Sequence, residues 1–205
     1  MRNPKKLVGV TLVEVMVALF VASILMTVLI RMFTVSTKTG TEELARASTE
    51  ATALYLVTSV ERDLQNSSPA GVTLVPSGAM LAVHPVESVL DTRQVVYRNQ
   101  LILWEYLPDD KLVKRTVSDD WFSTFDLRPH RLDDTELSAL QANPQGKLAL
   151  KIGKVKDFSV SNPGDVEVPS VGAPLTISVT ILIEEASTRK EVTFEKSIWI
   201  RSSGT

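Results

Sequence analysis

Three regimes of hydrophobic patterning follow one another along this chain of 205 residues. Residues 10–30 are apolar almost throughout: Glu14 is the one ionisable side chain in them, and the next charge is Arg31. Beyond Arg31 the pattern turns one-sided. Leu44, Ala47, Ala51, Leu54, Val57, Val60 and Leu64 recur every three or four positions, which reads as one helical face, with Arg46, Glu50, Arg62 and Asp63 largely off it. No proline interrupts between Pro4 and Pro69, and Gly40 is the only glycine between Gly9 and Gly71. A single helix from about Thr11 to about Gln65 is therefore predicted, on the order of 80 Å long at roughly 1.5 Å per residue. Its weak point is Gly40, since an interior glycine costs about 1 kcal/mol relative to alanine. Asn66-Ser67-Ser68-Pro69-Ala70-Gly71 ends it.

After Gly71 the period changes to two. Short runs rich in Val, Ile, Leu and aromatics predict strands at 72–75, 80–84, 94–98, 101–106, 112–117, 147–152, 155–160, 175–184 and 191–201. Asn99-Gln100 is placed to join 94–98 and 101–106 as a tight hairpin. In the last pair Leu175, Ile177, Val179, Ile181 and Ile183 share one face, as do Val192, Phe194, Lys196, Ile198 and Ile200, with Lys196 breaking the apolar set and a turn near Ser187-Thr188. Residues 118–146 form a long insertion with a short helix near 134–141, closed by Asn143-Pro144, and 162–174 read as a loop with three prolines and two glycines. A sheet of this kind needs a cover, and the amphipathic half of the long helix supplies one. The expected fold is α+β: a long N-terminal helix, with a hydrophobic stem and an amphipathic second half, packed on an antiparallel β-sheet head.

Composition sharpens the first regime. The formal net charge of −2 divides into +3 for residues 1–9, from Arg2, Lys5 and Lys6, and −5 for the remainder. The apolar run matches the thickness of a bilayer's hydrocarbon core, and basic residues on its N-terminal flank predict a cytoplasmic N-terminus with the body on the far side. The absence of cysteine excludes disulfides, thiol nucleophiles, zinc–thiolate centres and a lipid-modified cysteine anchor. An acidic body without a basic patch argues against nucleic acid. A secretory signal peptide would have a shorter apolar core ending in a small-residue cleavage site, whereas here 24–30 continue past the small residues of 18–23. An uncut signal anchor is the simpler alternative.

Glu14 is the anomaly, because a charged side chain at the centre of a membrane helix costs roughly 2.5–3.5 kcal/mol. It stands five residues after Gly9, within Lys5-Lys6-Leu7-Val8-Gly9-Val10-Thr11-Leu12-Val13-Glu14. That segment resembles the processing site of type IV prepilins and type II secretion pseudopilins: a basic leader ending in glycine, an apolar residue, Thr, Leu, any residue, Glu, then a spanning apolar helix. Val10 departs from the commoner Phe or Met. The resemblance covers about 25 residues. It implies a leader peptide at 1–9, cut between Gly9 and Val10 by a membrane-embedded prepilin peptidase that then methylates the Val10 amine. A transmembrane and filament-core helix would follow at 10–30, the amphipathic helix at 31–66 and a periplasmic β-rich head at 67–205. In a filament Glu14 would face the N-terminal amine of a neighbouring subunit, setting axial register, which is the best-attested use of a buried ion pair. Implied partners are other major and minor subunits, the peptidase, an inner-membrane assembly platform and the bacterial inner membrane. Glu61-Arg62-Asp63-Leu64 and the hairpin region 101–115 look like those of minor pilins and J-type minor pseudopilins, and removing nine residues leaves 196, long for a major pilin.

Catalysis finds little support. His84 and His130 lie in different segments without ligand-spaced partners, and there is no nucleophile elbow, phosphate-binding glycine loop or His-Glu-x-x-His. No catalytic residue, cofactor or metal site is expected. Asp109-Asp110, Asp119-Asp120 and Asp133-Asp134 match no calcium-loop spacing and read as solvated turns. Trp104 and Trp199 are expected to pack within strands. Trp121-Phe122 with Phe125 in the insertion offers either packing under the loop or an exposed contact patch. From another class of function, a permanently anchored, unprocessed protein with a periplasmic binding or sensor head fits the same pattern.

Overall fold

In a computed structural model of the chain, residues 11–75, 79–119, 131–142, 146–162, 174–184 and 189–200 are described. The helix α1 is a single element, Leu12–Gln65, 54 residues long, and it continues through Gly40 without a break. Ser23 and Thr27, inside the apolar run, donate their hydroxyls to the carbonyls of Phe20 (2.7 Å) and Ser23 (2.8 Å), so these polar groups are satisfied within the helix itself. The chain divides into two compact units, Met1–Ala45 and Arg46–Thr205, and α1 contributes to both. In the first unit the apolar side chains stand exposed, and this stretch of helix is long and apolar enough to cross a membrane.

The second unit is α+β. Among the described residues nine strands follow the helix: β1 (Ser67–Leu74), β2 (Met80–Val89), β3 (Val95–Tyr97), β4 (Gln100–Leu107), β5 (Leu112–Asp119), β6 (Lys147–Gly153), β7 (Val155–Ser161), β8 (Leu175–Glu184) and β9 (Arg189–Ile198). The helix α2 (Asp134–Ala142) stands between β5 and β6. One antiparallel sheet runs β1-β2-β4-β5-β6, with β3 also on β2, and a second runs β7-β8-β9. Lys154, in the left-handed region at φ 65°, is the single residue at which the chain passes from β6 to β7.

The period-two alternation is used on both sides of the larger sheet. Leu81, Val83, Ile102 and Trp104 enter the main core with Ala53, Leu56, Val57, Val60 and Leu64 of α1 and with Phe158, Ile177 and Val179 of the smaller sheet. Their neighbours Met80, Ala82, Leu101 and Leu103 point the other way, into a second cluster with Leu132 and Leu140, against which Leu137 packs. Thus α2 is the cover for the second face. Asp133 caps it reciprocally with Glu136: the Glu136 amide donates to Asp133 Oδ1 (2.8 Å) and the Asp133 amide to Glu136 Oε2 (3.0 Å).

Four expectations are corrected here. The helical face is only partly the one the spacing suggested: Val57, Val60 and Leu64 are in the core, but Leu44 and Leu54 are 72 % and 62 % exposed, and Ala53, Leu56, Ser59 and Asp63 are buried as well. The reason lies in the run 51-54-57-60. Three steps of three lag the 3.6-residue turn, so Ala51 and Val60, nine residues apart at about 100° each, fall on opposite sides of the helix. The proposed hairpin between 94–98 and 101–106 does not form. Both segments pair with β2, Val86↔Tyr97 and Val83↔Ile102, as two collinear pieces of its antiparallel neighbour. The Arg98 amide keeps the ladder across the break by donating to Pro85 O (2.9 Å). Pro85 also let β2 run on to Val89. It has no N–H to pair, and β1 opposite shifts register between Ser67 and Val72, where the strand bulges. Finally, Trp199 is 61 % exposed, just past the end of β9, rather than packed.

Candidate functional site

Two places on α1 gather the residues of interest. At its first turn Thr11 and Glu14 form a capping box. The Thr11 amide and hydroxyl donate to Glu14 Oε2 at 2.8 and 3.0 Å, and the Glu14 amide donates to Thr11 Oγ1 at 3.3 Å. The Thr-x-x-Glu spacing that carries this box is visible in the sequence, where Glu14 had been weighed only as a buried charge. Within a single chain, then, the carboxylate already has partners, and it offsets the helix dipole at its positive end. An apolar groove lined by Val13, Val17, Ala18, Val21, Ala22 and Leu25 runs beside Glu14. The leader residues Arg2, Lys5 and Lys6, and the proposed cut and methylation positions Gly9 and Val10, lie outside the described residues.

At the other end of α1 the tetrapeptide Glu61-Arg62-Asp63-Leu64 is divided between core and surface. Asp63 is buried, not solvated. Its Oδ2 accepts the Trp104 indole N–H (2.9 Å) and Arg115 Nε–H (2.7 Å), and its Oδ1 accepts Arg115 Nη2–H (3.0 Å). Trp104 and Arg115 are directly opposite each other across β4 and β5, which brings the guanidinium 5.9 Å from the indole centroid. A bidentate fork plus an indole donor satisfies the buried carboxylate fully, the condition under which a buried charge is tolerated. Leu64 enters the core and Arg62 is exposed. Glu61 accepts a 2.5 Å bond from Lys196 Nζ on β9, which explains the lysine that broke the apolar face of that strand.

Arg62, Asp63, Asn66, Arg98, Gln100 and Arg115 line a polar cleft of about 240 Å³ at this end of the helix, with Pro85, Val86 and Ile102 as its apolar floor. His84 is buried, its Nε2 2.7 Å from Arg98 O and its ring 4.8 Å from that of Tyr97, and His130 lies outside the described residues. Among the described residues no three His, Asp or Glu side chains gather as ligands for a metal ion. Of the acidic pairs, Asp109 and Asp110 sit in the turn between β4 and β5, Asp119 accepts the Gln100 amide at 2.7 Å, and Asp133 is the helix cap already described. Asp120, Trp121, Phe122 and Phe125 lie outside the described residues.

One signal for the Asp63 centre was present in the sequence: an aspartate within one turn of Val60 and Leu64 lies beside a core-facing stretch, where a carboxylate needs hydrogen-bond donors or a cation. Against known proteins, the chain matches no family model, no curated protein and no solved structure.

Proposed function

We propose that this chain is a minor pilin or pseudopilin. In this reading it is a structural subunit that helps to initiate or cap a type II secretion pseudopilus or type IV pilus, after cleavage between Gly9 and Val10 and methylation of the new amine. The observation that carries the reading is Glu14, an acid in the first turn of a 54-residue helix whose N-terminal half is apolar and exposed, five residues after a glycine that ends a basic leader. A second support is the layout of a long helix followed by antiparallel sheets. In the free subunit Thr11 satisfies Glu14. In a filament the methylated amine of a neighbouring Val10 would take over as partner, exchanging hydrogen bonds for an ion pair out of water. Capping interactions of this kind are worth about 0.5–2 kcal/mol, small enough for such an exchange to be readily driven.

The test is the mass and N-terminal sequence of the protein extracted from its native membranes. A chain beginning at methylated Val10 supports the reading, and Gly9→Ala should accumulate uncut. Glu14→Ala should give stable protein that no longer co-purifies with neighbouring subunits. Normal processing of Gly9→Ala, or wild-type assembly of Glu14→Ala, would refute it. The capping box favours one second reading: a Glu14 satisfied by Thr11 needs no amine from elsewhere, so an unprocessed bitopic protein with a binding or sensor head is compatible with it. That protein would begin at Met1.

A further inference from the structure

We infer that the cleft at the C-terminal end of α1 is a carboxylate-binding site, independent of any filament role. Its lining is rich in N–H donors and poor in acceptors. Arg62, Arg98, Arg115 and Asn66 supply donors, against one lining carboxylate, Asp63, whose two oxygens already accept three bonds from Trp104 and Arg115; the Gln100 amide is engaged by Asp119. The guanidiniums show what chemistry fits. Arg115 holds Asp63 in a fork, and Arg98 Nε holds Glu87 Oε2 at 2.6 Å. Arg62 is the third, and among the described residues it has no carboxylate partner. The cleft is deep enough, at about 240 Å³, to admit a carboxylate-bearing side chain, and Ile102, Val86 and Pro85 give its methylenes an apolar wall.

Charge argues the same way. Three arginines against Asp63 leave an excess of two among the lining residues, while two carboxylates border them, Glu87 on Arg98 and Asp119 on the Gln100 amide. With those carboxylates beside it the cleft favours a ligand group carrying one negative charge over a phosphate, which brings about −1.5 to −2. Elsewhere the body is acidic, so this patch is a local reversal of sign that would favour approach of anions. Arg62 also lies in the last turn of α1, where a cation suits the helix dipole, so its loss must be read beside that of Arg98, which does not lie on the helix.

A reporter is bonded to the cleft's lining. Trp104 bonds to Asp63 beneath Arg115, and replacing the other two tryptophans (Trp121→Phe, Trp199→Phe) leaves it the only indole in the chain. The full chain in detergent micelles would be titrated with succinate, with a blocked hexapeptide of glutamate, with its glutamine counterpart and with inorganic phosphate, by Trp104 emission and in parallel by calorimetry. Saturable binding of a carboxylate is expected, with no binding of the glutamine peptide and weaker binding of phosphate. Arg62→Gln and Arg98→Gln should each weaken it about tenfold, the scale of one charge-assisted hydrogen bond, with the circular dichroism spectrum unchanged. Binding of the glutamate peptide alone assigns the site to an acidic segment of a protein partner, and equal binding of succinate assigns it to a free acid. The inference is overturned if neither carboxylate binds by either readout, if phosphate binds as tightly, or if both arginine variants bind like the parent.

Discussion

Removing the Asp63 carboxylate should cost the folded protein about 3 kcal/mol. Breaking a buried ion pair by deleting one partner typically costs roughly 3–5 kcal/mol, because the remaining charge stays in a poorly solvated place. Here the Arg115 side chain keeps 17 % of its surface exposed against 4 % for Asp63, and it borders the cleft, so water can recover part of its solvation and the low end of that range applies. Asp63→Ala also removes the acceptor of the Trp104 indole N–H, which is fully buried in the parent. Urea unfolding of the full chain in detergent, followed by Trp104 emission in the Trp121→Phe, Trp199→Phe background, reads the loss. With a slope of about 2 kcal/mol per molar urea, the midpoint should fall by about 1.5 M. Arg115→Met alone should be comparably damaging, since it leaves a carboxylate buried with one indole donor. The double variant Asp63→Ala, Arg115→Met should lose less than the sum, by more than about 1 kcal/mol, because neither charge is then left alone. A loss under about 1 kcal/mol for Asp63→Ala, the scale of an exposed pair, or strict additivity in the double variant, would refute the claim that this carboxylate is held by desolvated partners.

Other outcomes follow from single contacts. A Cβ at Gly71 would come 2.9 Å from His84 O and from Ser67 Oγ and 3.2 Å from the Tyr97 ring, so Gly71→Ala should destabilise by about 1–3 kcal/mol, measurable as a lowered urea midpoint. A Cβ at Gly40 meets nothing within 4 Å, so Gly40→Ala should make that stretch of α1 more stable by up to about 1 kcal/mol, seen as slower amide exchange around residue 40. Burial, with the nearby Asp157 charge adding to it, pushes the Tyr106 hydroxyl above its ordinary value of 10.0, while it donates to Val155 O (3.4 Å) and to Lys156 O. The fold therefore favours neutral tyrosine. Its contribution is intact below about pH 10, the unfolded value, and is lost as pH rises through the higher folded value. Tyr106→Phe should remove that alkaline loss, and an unchanged pH profile between 9 and 12 would count against it.

How much of this was legible beforehand depended on which interactions are local. Strand positions were readable from period two where the alternation is regular: Leu175, Ile177, Val179 and Ile181 share one face in sequence and in space, whereas the bulged β1, expected at 72–75, begins at Ser67. Both helices announced themselves similarly, α2, expected near 134–141, through the break at Asn143-Pro144. What failed was non-local. A turn-like Asn99-Gln100 does not say whether the chain reverses or merely kinks along an existing neighbour, and only β2 decides that. The strand expected at 80–84 runs on to Val89 past Pro85, unforeseen because the bulge opposite, in β1, is invisible from β2 alone. Asp63 looked solvated because Arg115 and Trp104 come from 41 to 52 positions away. At the N-terminal site the opposite held: the Thr11–Glu14 box spans three residues and could have been read directly.

The double cover on the larger sheet has a consequence for how this protein can change. With α1 on one face and α2 on the other, neither face of β2 and β4 is spare between Met80 and Val83 or between Leu101 and Trp104. Substitutions there have no tolerant alternate positions, unlike a sheet with one wet side. Variation that tunes recognition is thereby pushed outward, to strand ends and to the edges of the two sheets. In a lineage of such chains the middle strands would drift slowly together, while the margins diverge.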